Sequence, residues 1–430
     1  MKRIHSTGSA FCSDDRGAIA IIFALSISAI FGTVALSVDY SRYSSVRTKV
    51  WQALDRAALA GAKLLDEDYT TDAQITDRTT AYFKTQLELA GVNVATDVNL
   101  TVGIDRTNNA VTAAAKFDLP TSFAGVVGIK ALTVDQTATA SYKLKKIELA
   151  LALDVTGSMA EVPTGDTATK MESLKIAAKD IVDTMFDLAN NDTAIRVALA
   201  PYSNAVNVGS LASSVATSTS WSNTCVVERA GSDNATDAFP SGSSRFPPFD
   251  APMVPDLVWT PCPTPTIIPL VGRSQRTFLK SEIDSFTPMG GTAGHLGTAW
   301  GWYLLSNSWS SLLPTASRPS APGPDVVKNL VIMSDGMFNM AYITGAQAYD
   351  GGAVSDSYKQ FRDLCDNAKA HKVNIYTVGF GLGSGGSHAE TELKKCASSD
   401  ANFFAAANSA QLKAAFSAIA NRISQLRISK

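Results

Sequence analysis

An uninterrupted apolar run near the amino terminus constrains this chain more than any other feature. Residues 17–38 read GAIAIIFALSISAIFGTVALSV and contain no charged side chain. A helix of about 20 such residues spans the hydrocarbon core of a bilayer. Lys2, Arg3 and Arg16 precede the run as they would in a secretory signal, but a signal has a shorter apolar core, of about 7 to 15 residues. The sequence therefore predicts a retained transmembrane helix over 17–39.

The charge bias around this run orients it only weakly, because Arg42, Arg47 and Lys49 follow it closely. The short preceding tail and the large following region favour a cytoplasmic tail over 1–16. We therefore expect a single-pass inner (cell) membrane protein whose large carboxyl-terminal region is periplasmic or extracellular.

A helical pattern continues beyond the apolar run and predicts a stalk helix over 40–66. The anchor and stalk can form one long rod, and the Ala-rich face of the stalk can equally pack against the next domain. Residues 67–146 then alternate in a way that predicts a small α+β or β-rich module. Its expected elements are a short helix at 81–89 and three half-buried strands.

The composition excludes one class of function and points to an unusual segment. Charged residues make up only 18% of the 430 residues, and 37 basic side chains oppose 39 acidic ones, for a net charge of -2. This balance argues against a nucleic-acid-binding protein with a broadly basic surface. The low charge is explained by the apolar run and by a stretch at about 203–274 that is rich in Ser, Thr, Pro and Gly.

Residues 147–427 alternate apolar runs with amphipathic helices, which predicts an α/β fold with a doubly wound, mostly parallel sheet. The stretch at 203–274 is expected to be an insertion in this domain. Its Trp221 and Trp259 belong either to a partner surface or to a packing flap held by disulfides. The predicted strands are 147–154, 194–202, 327–335, 373–380 and a short one at 403–407.

Four cysteines follow the anchor and are the disulfide candidates. Cys225 and Cys262 lie in the insertion, and Cys365 and Cys396 lie near the end of the domain. Two local bonds, 225–262 and 365–396, are the most economical of the three possible pairings. The alternative is four buried thiols in a cytosolic protein.

Three predicted loops offer oxygen ligands, and two of them follow strand ends. The first strand ends in Asp154, and Thr156 and Ser158 follow at alternate positions. Thr292 lies in a glycine-containing loop before a helix, and Asp335 ends another strand. Ligands bind at the carboxyl ends of the strands in doubly wound sheets, where such loops meet. Two carboxylates and three hydroxyls suit a hard cation, Mg²⁺ first and Mn²⁺ or Ca²⁺ as substitutes.

These five residues resemble the metal-ion-dependent adhesion site of von Willebrand factor type A domains. In that family a D-x-S-x-S motif, a distant Thr and a distant Asp surround the ion. The resemblance implies that Asp154, Thr156, Ser158, Thr292 and Asp335 bind Mg²⁺ directly or through water. Thr156 replaces the more usual Ser and keeps its hydroxyl. With only two carboxylates the metal stays electrophilic, so we expect an acidic residue of a protein partner to complete its coordination.

The amino-terminal segment is similar to that of TadE/TadG-type proteins of the tight-adherence (Flp) pilus machinery. In TadG-type members a single anchored chain holds a von Willebrand-like domain outside the membrane. The family's pilin-like members have a Glu five residues after the processing Gly. Counting from Gly17, this chain has Ile22 there, which favours an uncleaved anchor.

The sequence thus predicts a membrane-anchored, non-enzymatic protein for pilus assembly or surface adhesion, with a protein partner at the metal and pilus-machinery proteins as further partners. One alternative is a structural pilus component with a vestigial metal site. A remote one is an anchored hydrolase, for which Ser158 or Ser334 would need a His base. We expect His295, just after Thr292, to have a surface or supporting role instead.

Overall fold

The computed structural model describes residues 16–65, 70–92, 98–142, 144–218, 224–249, 262–342, 354–382 and 387–428. The chain forms two compact units, Met1–Lys143 and Leu144–Lys430.

The helices are α1 (Arg16–Leu64), α2 (Asp72–Leu89), α3 (Lys170–Asp187), α4 (Ala212–Val215), α5 (Arg276–Asp284), α6 (Gly294–Tyr303), α7 (Ser355–Ala370), α8 (His388–Cys396) and α9 (Ser409–Ile428). The strands are β1 (Asn99–Asp105), β2 (Ala110–Pro120), β3 (Ala131–Ser141), β4 (Lys146–Asp154), β5 (Ile195–Tyr202), β6 (Val206–Asn207), β7 (Cys225–Val226), β8 (Ile268–Val271), β9 (Val326–Ser334), β10 (Val373–Phe380) and β11 (Phe403–Ala406).

In the first unit, α1 is one continuous helix with two different environments. Its segment Ile21–Leu64 is long and apolar enough to cross a membrane, and the side chains of Ile22, Leu25 and Phe31 are about two-thirds exposed. Farther along, Val50 and Leu54 are fully buried in a cluster with residues of α2, β2 and β3. The Ala-rich half of the helix therefore packs against the small module, as one of the two expectations had it.

The module itself is an antiparallel sheet in the order β1-β2-β3. Helix α2 is longer than the helix expected at 81–89 because Thr71 and Gln74 form a capping box that starts it at Asp72.

The second unit is built on a six-stranded sheet in the order β11-β10-β9-β4-β5-β8. All neighbours are parallel except β5 and β8. One face packs against α3, α5 and α9, and the other against α6 and α7. The predicted doubly wound, mostly parallel α/β fold is confirmed.

The antiparallel edge strand β8 was not predicted. It lies within the stretch 203–274 that the sequence analysis assigned to the insertion. It has only four residues and contains Pro269, which suits an edge strand because proline cannot donate to a ladder of hydrogen bonds. A second short ladder pairs β6 with β7.

Two disulfides confirm the predicted pairing. They join Cys225 to Cys262 and Cys365 to Cys396, with Cα–Cα distances of 5.7 Å and 5.3 Å. The first closes a loop inside the insertion, and the second connects α7 to α8. Trp221 and Trp259 lie outside the described residues.

Candidate metal centre

The centre of the site is Asp154, the last residue of the central strand β4. Its side chain is fully buried and is held by neighbours on both oxygens. Oδ1 accepts a hydrogen bond from the Thr156 amide at 2.9 Å, and Oδ2 accepts one from the Ser334 hydroxyl at 2.9 Å. The hydroxyl of Tyr202, 3.4 Å from Oδ2, approaches from the neighbouring strand β5. These contacts fix the carboxylate at the carboxyl edge of the sheet.

A chain of hydroxyls connects the first loop to Asp335, which follows β9. Ser158 Oγ donates to Asp335 Oδ1 at 2.7 Å, and Thr156 Oγ1 lies 3.0 Å from Ser158 Oγ. Because the Ser158 proton points to the carboxylate, Thr156 is the donor of the second bond. Both hydroxyl oxygens keep at least one lone pair that can bind a cation.

The loop that contains Thr292 contacts the first loop through its backbone. Gly157 N donates to Gly290 O at 2.9 Å, and Met289 N donates to Val155 O at 2.8 Å. A Cβ on Gly290 would lie 2.1 Å from Asn204 Oδ1, and the residue has a φ of 76°, so glycine is required there.

Thr292 is the only one of the five predicted ligands that the structure does not join to the others by a side-chain hydrogen bond. It is buried, and its amide donates to Asn339 Oδ1 at 2.7 Å. In the described part of the chain its hydroxyl bonds none of the other four ligands. The structure therefore brings Asp154, Thr156, Ser158 and Asp335 into one network and places Thr292 on the adjoining loop.

Lys170 is a member of the site that sequence reasoning missed. Its Nζ lies 2.9 Å from Asp335 Oδ2 and 2.9 Å from Glu161 Oε2, and its side chain is only 7% exposed. Burial works against the charged form, but Asp335 and Glu161 outweigh that effect and raise the pKa of Lys170. A signal was available, since a lysine in the first turn of a helix opposes the helix dipole.

The ionised forms of the two acids are disfavoured in this position, even with Lys170 beside Asp335. Burial raises the pKa of Asp154, and the negative charge of Asp335 raises it further. Burial also raises the pKa of Asp335, although Lys170 and Ser158 counteract that rise. The described residues contain no cluster of three or more His, Cys, Asp or Glu side chains that could hold a metal. A metal here would depend on hydroxyl and water oxygens together with two carboxylates, which fits a hard divalent cation.

Beside Lys170 lies an open groove of about 420 Å³. It runs along the carboxyl ends of β10 and β11, adjacent to the Asp335 side of the site. Its lining residues are Glu161, Val162, Pro163, Thr164, Lys170, Gly379, Gly381, Leu382, Glu390, Ala405, Ala406, Ala407 and Gln411.

His295 is completely buried, so of the two roles expected for it, surface or supporting, the surface one is wrong. Its Nδ1 is 2.7 Å from Ser357 Oγ, and its Nε2 is 3.3 Å from Glu228 Oε2. The order Ser–His–acid matches that of a hydrolase triad. However, Ser357 and His295 are 0% exposed and Glu228 is 3% exposed, so a substrate has no access to the serine. These three side chains connect the insertion, α6 and α7, and their role is structural.

Two family models match separate parts of the chain. The model described as putative Flp pilus-assembly TadE/G-like matches residues 17–64, and that of the von Willebrand factor type A domain matches residues 264–418. The second match includes Thr292 and Asp335 but begins after the Asp154 strand. Both family resemblances drawn from the sequence are confirmed, whereas the five-residue metal site stays a prediction.

The chain is also similar to several solved structures. The von Willebrand factor domain of the type V pili tip protein Mfa5 from Porphyromonas gingivalis has 15% identity and a TM-score of 0.40, covering 67% of this chain and 98% of that one. The PilB minor pilin from Streptococcus sanguinis has 12% identity and a TM-score of 0.38, covering 77% and 79%.

A third similar structure is the pilus adhesin SpaC from Lactobacillus rhamnosus GG. It has 10% identity and a TM-score of 0.39, and the alignment covers 77% of this chain but only 34% of SpaC. At these low scores the three likenesses add nothing to the assignment made by the family models. No curated protein matches the chain.

Proposed function

Because the chain joins a TadE/G-like amino-terminal segment to a von Willebrand factor type A domain, we propose that it is a membrane-anchored, non-enzymatic protein of pilus assembly or surface adhesion. It binds a protein partner through Mg²⁺ held by Asp154, Thr156, Ser158, Thr292 and Asp335. The observation that supports this most directly is the network of two buried carboxylates and two hydroxyls at the carboxyl edge of the sheet.

The number of charges in the site suits partner binding. Two carboxylates and neutral hydroxyls leave a divalent cation with coordination positions for water. Such a cation can accept a carboxylate from outside the chain, so an acidic residue of a partner would complete the site. The groove beside Lys170 offers room for the segment that contains that residue.

The membrane anchor is the exposed apolar part of α1, which we place across the inner (cell) membrane with the short amino-terminal tail in the cytoplasm. The two disulfides support a periplasmic or extracellular position for the second unit, because such bonds form and persist in oxidising compartments. A periplasmic reporter fused after Ile428 is expected to be active, and an inactive reporter would overturn this topology.

Metal binding is tested by calorimetric titration of the detergent-solubilised full chain with Mg²⁺ and Mn²⁺. We expect one site per chain and its loss in Asp335→Ala. Asp284→Ala is the matched control, since Asp284 is a 56% exposed acid paired with Lys179 and should leave binding unchanged. Absence of binding in the native chain, or unchanged binding in Asp335→Ala, would contradict the proposed metal site.

One observation favours a second candidate, a structural pilus component with a vestigial metal site. Lys170 already supplies a positive charge to Asp335, as a metal would. In that case the anchor and α1 drive assembly, and no divalent ion binds. The same titration separates the two candidates. The hydrolase alternative loses support because, among the described residues, neither Ser158 nor Ser334 bonds a histidine: the Ser158 hydroxyl donates to Asp335, and the Ser334 hydroxyl donates to Asp154.

A further inference from the structure

The turn between β2 and β3 presents apolar side chains to solvent. Val126 is 93% exposed, and Phe123, Val127 and Ile129 are between 41% and 56% exposed. We call residues 123–129 the apolar turn. Adjacent exposed apolar residues of this kind usually mark an interaction surface.

The apolar turn is held in a fixed conformation by α1. The buried carboxylate of Asp39 accepts hydrogen bonds from three consecutive amides, those of Ser122 at 2.8 Å, Phe123 at 2.8 Å and Ala124 at 2.6 Å. Arg42, one helical turn later, donates to Pro120 O at 3.3 Å and to Ser122 Oγ at 3.1 Å. The amides at 122–124 are thus paired, and the apolar side chains that follow face outward.

The part of α1 that the apolar turn contacts indicates what covers the turn. Asp39 is the first charged residue after the apolar run 17–38. The 22 residues of that run measure about 33 Å as a helix, close to the hydrocarbon thickness of about 30 Å. Leu36 and Tyr40 share a shallow cavity with Ala124 and Ile129. The apolar turn therefore lies at the level where the helix would leave the bilayer.

The opposite end of the module points away from that level. β2 has 11 residues and is about 36 Å long, and the turn at Thr107 lies at its far end. There Val111 packs with Ala62, which is 23 residues beyond Asp39 on α1. Strand and helix thus run side by side, with the apolar turn at the membrane end and Thr107 at the distal end.

We propose that the apolar turn inserts into the lipid bilayer beside the anchor helix, in the leaflet next to Asp39. Phe123, Val126 and Val127 enter the interface between head groups and acyl chains, and Lys130 remains at the aqueous side. The module is then attached to the membrane at two points, the helix and the turn, which restricts its tilt. This inference rests on the proposed membrane anchor.

Depth-dependent fluorescence quenching in proteoliposomes tests the insertion. The full chain with Cys12→Ser receives one added cysteine for a nitrobenzoxadiazole label, since the other four cysteines are in disulfides. Val126→Cys reports the apolar turn. Thr107→Cys is the aqueous control on the same module, and Leu25→Cys is the membrane control within α1. Lipids with a nitroxide on the acyl chain serve as the quencher.

We expect a blue-shifted emission at position 126 and a loss of fluorescence with nitroxide lipid that is greater than at 107 and smaller than at 25. Quenching at 25 with none at 126 would overturn the insertion while leaving the anchor intact. Quenching at neither position would refute the anchor and the insertion together. A blue shift at 126 without quenching would show that protein covers the turn, and would also overturn the proposal.

Discussion

Replacing Lys170 by Met tests whether the lysine and a divalent cation share the same carboxylate. The ammonium lies 2.9 Å from Asp335 and both side chains are buried. At an effective dielectric constant of about 20 their attraction is about 6 kcal/mol, and desolvation offsets part of it. Removing one partner of a buried ion pair typically costs about 3 kcal/mol. We expect that loss of unfolding free energy in the metal-free protein.

The same substitution should strengthen the binding of Mg²⁺. Without the ammonium, the cation no longer shares Asp335 with another positive charge. We therefore expect Lys170→Met to bind Mg²⁺ at least about tenfold more tightly, or about 1.4 kcal/mol. Added Mg²⁺ should also restore much of the lost stability, because a ligand that binds only the folded state stabilises it. The assays are calorimetric titration and urea unfolding of the full chain, with and without Mg²⁺.

Lys179→Met is the matched control because Lys179 lies on the same helix. It pairs with Asp284 at 2.6 Å, but the two side chains are 27% and 56% exposed. Its removal should cost less than about 1 kcal/mol and leave the metal affinity unchanged. If Lys170→Met folds and binds Mg²⁺ no more tightly than the native chain, competition between lysine and metal is refuted.

Two further predictions concern buried ionic groups away from the site. Glu148→Gln should lower the unfolding free energy by about 3 kcal/mol, because Lys328 and Arg196 on the flanking strands lose their buried counter-ion. Urea unfolding measures this loss, and a loss no larger than that of Asp284→Asn would contradict the prediction. For Glu392, burial alone would raise the pKa, but Arg362 and Lys395 outweigh it and lower the pKa. Its stabilising contribution is therefore fully present above about pH 4.3 and is lost as the pH falls through the lowered pKa. Glu392→Gln should cost about 1.5 kcal/mol at pH 7 and progressively less as the pH is lowered below that range; a cost that does not fall with pH would refute the assignment.

Most of the second unit's sheet could be predicted because its buried parallel strands are continuous apolar runs. The observed bounds of β4, β5, β9 and β10 differ from the predicted ones by at most one residue at either end. The edge strand β8 could not be predicted in this way. It has four residues and one neighbour, and its pairing is determined by contact with β5 rather than by a local pattern.

The candidate site, too, could be predicted from the sequence only in part. The alternation of residues after β4 was enough to predict that Asp154, Thr156 and Ser158 lie together. Asp335 was predicted to join them because ligands bind at the carboxyl ends of the strands in doubly wound sheets. Lys170 was missed because its two partners, Glu161 and Asp335, are 9 and 165 residues away in the chain.

The sequence by itself determined the apolar helix, the doubly wound fold, the disulfide pairing preferred among three and the set of five candidate oxygen ligands. Each of these depends on periodicity, composition or the local end of a strand. Only the tertiary structure decided that a buried lysine bonds Asp335, that His295 is buried between Ser357 and Glu228, and that an apolar turn lies beside the end of the apolar run 17–38. Those features depend on which distant residues meet, and burial then strengthens the interactions of the charged groups among them.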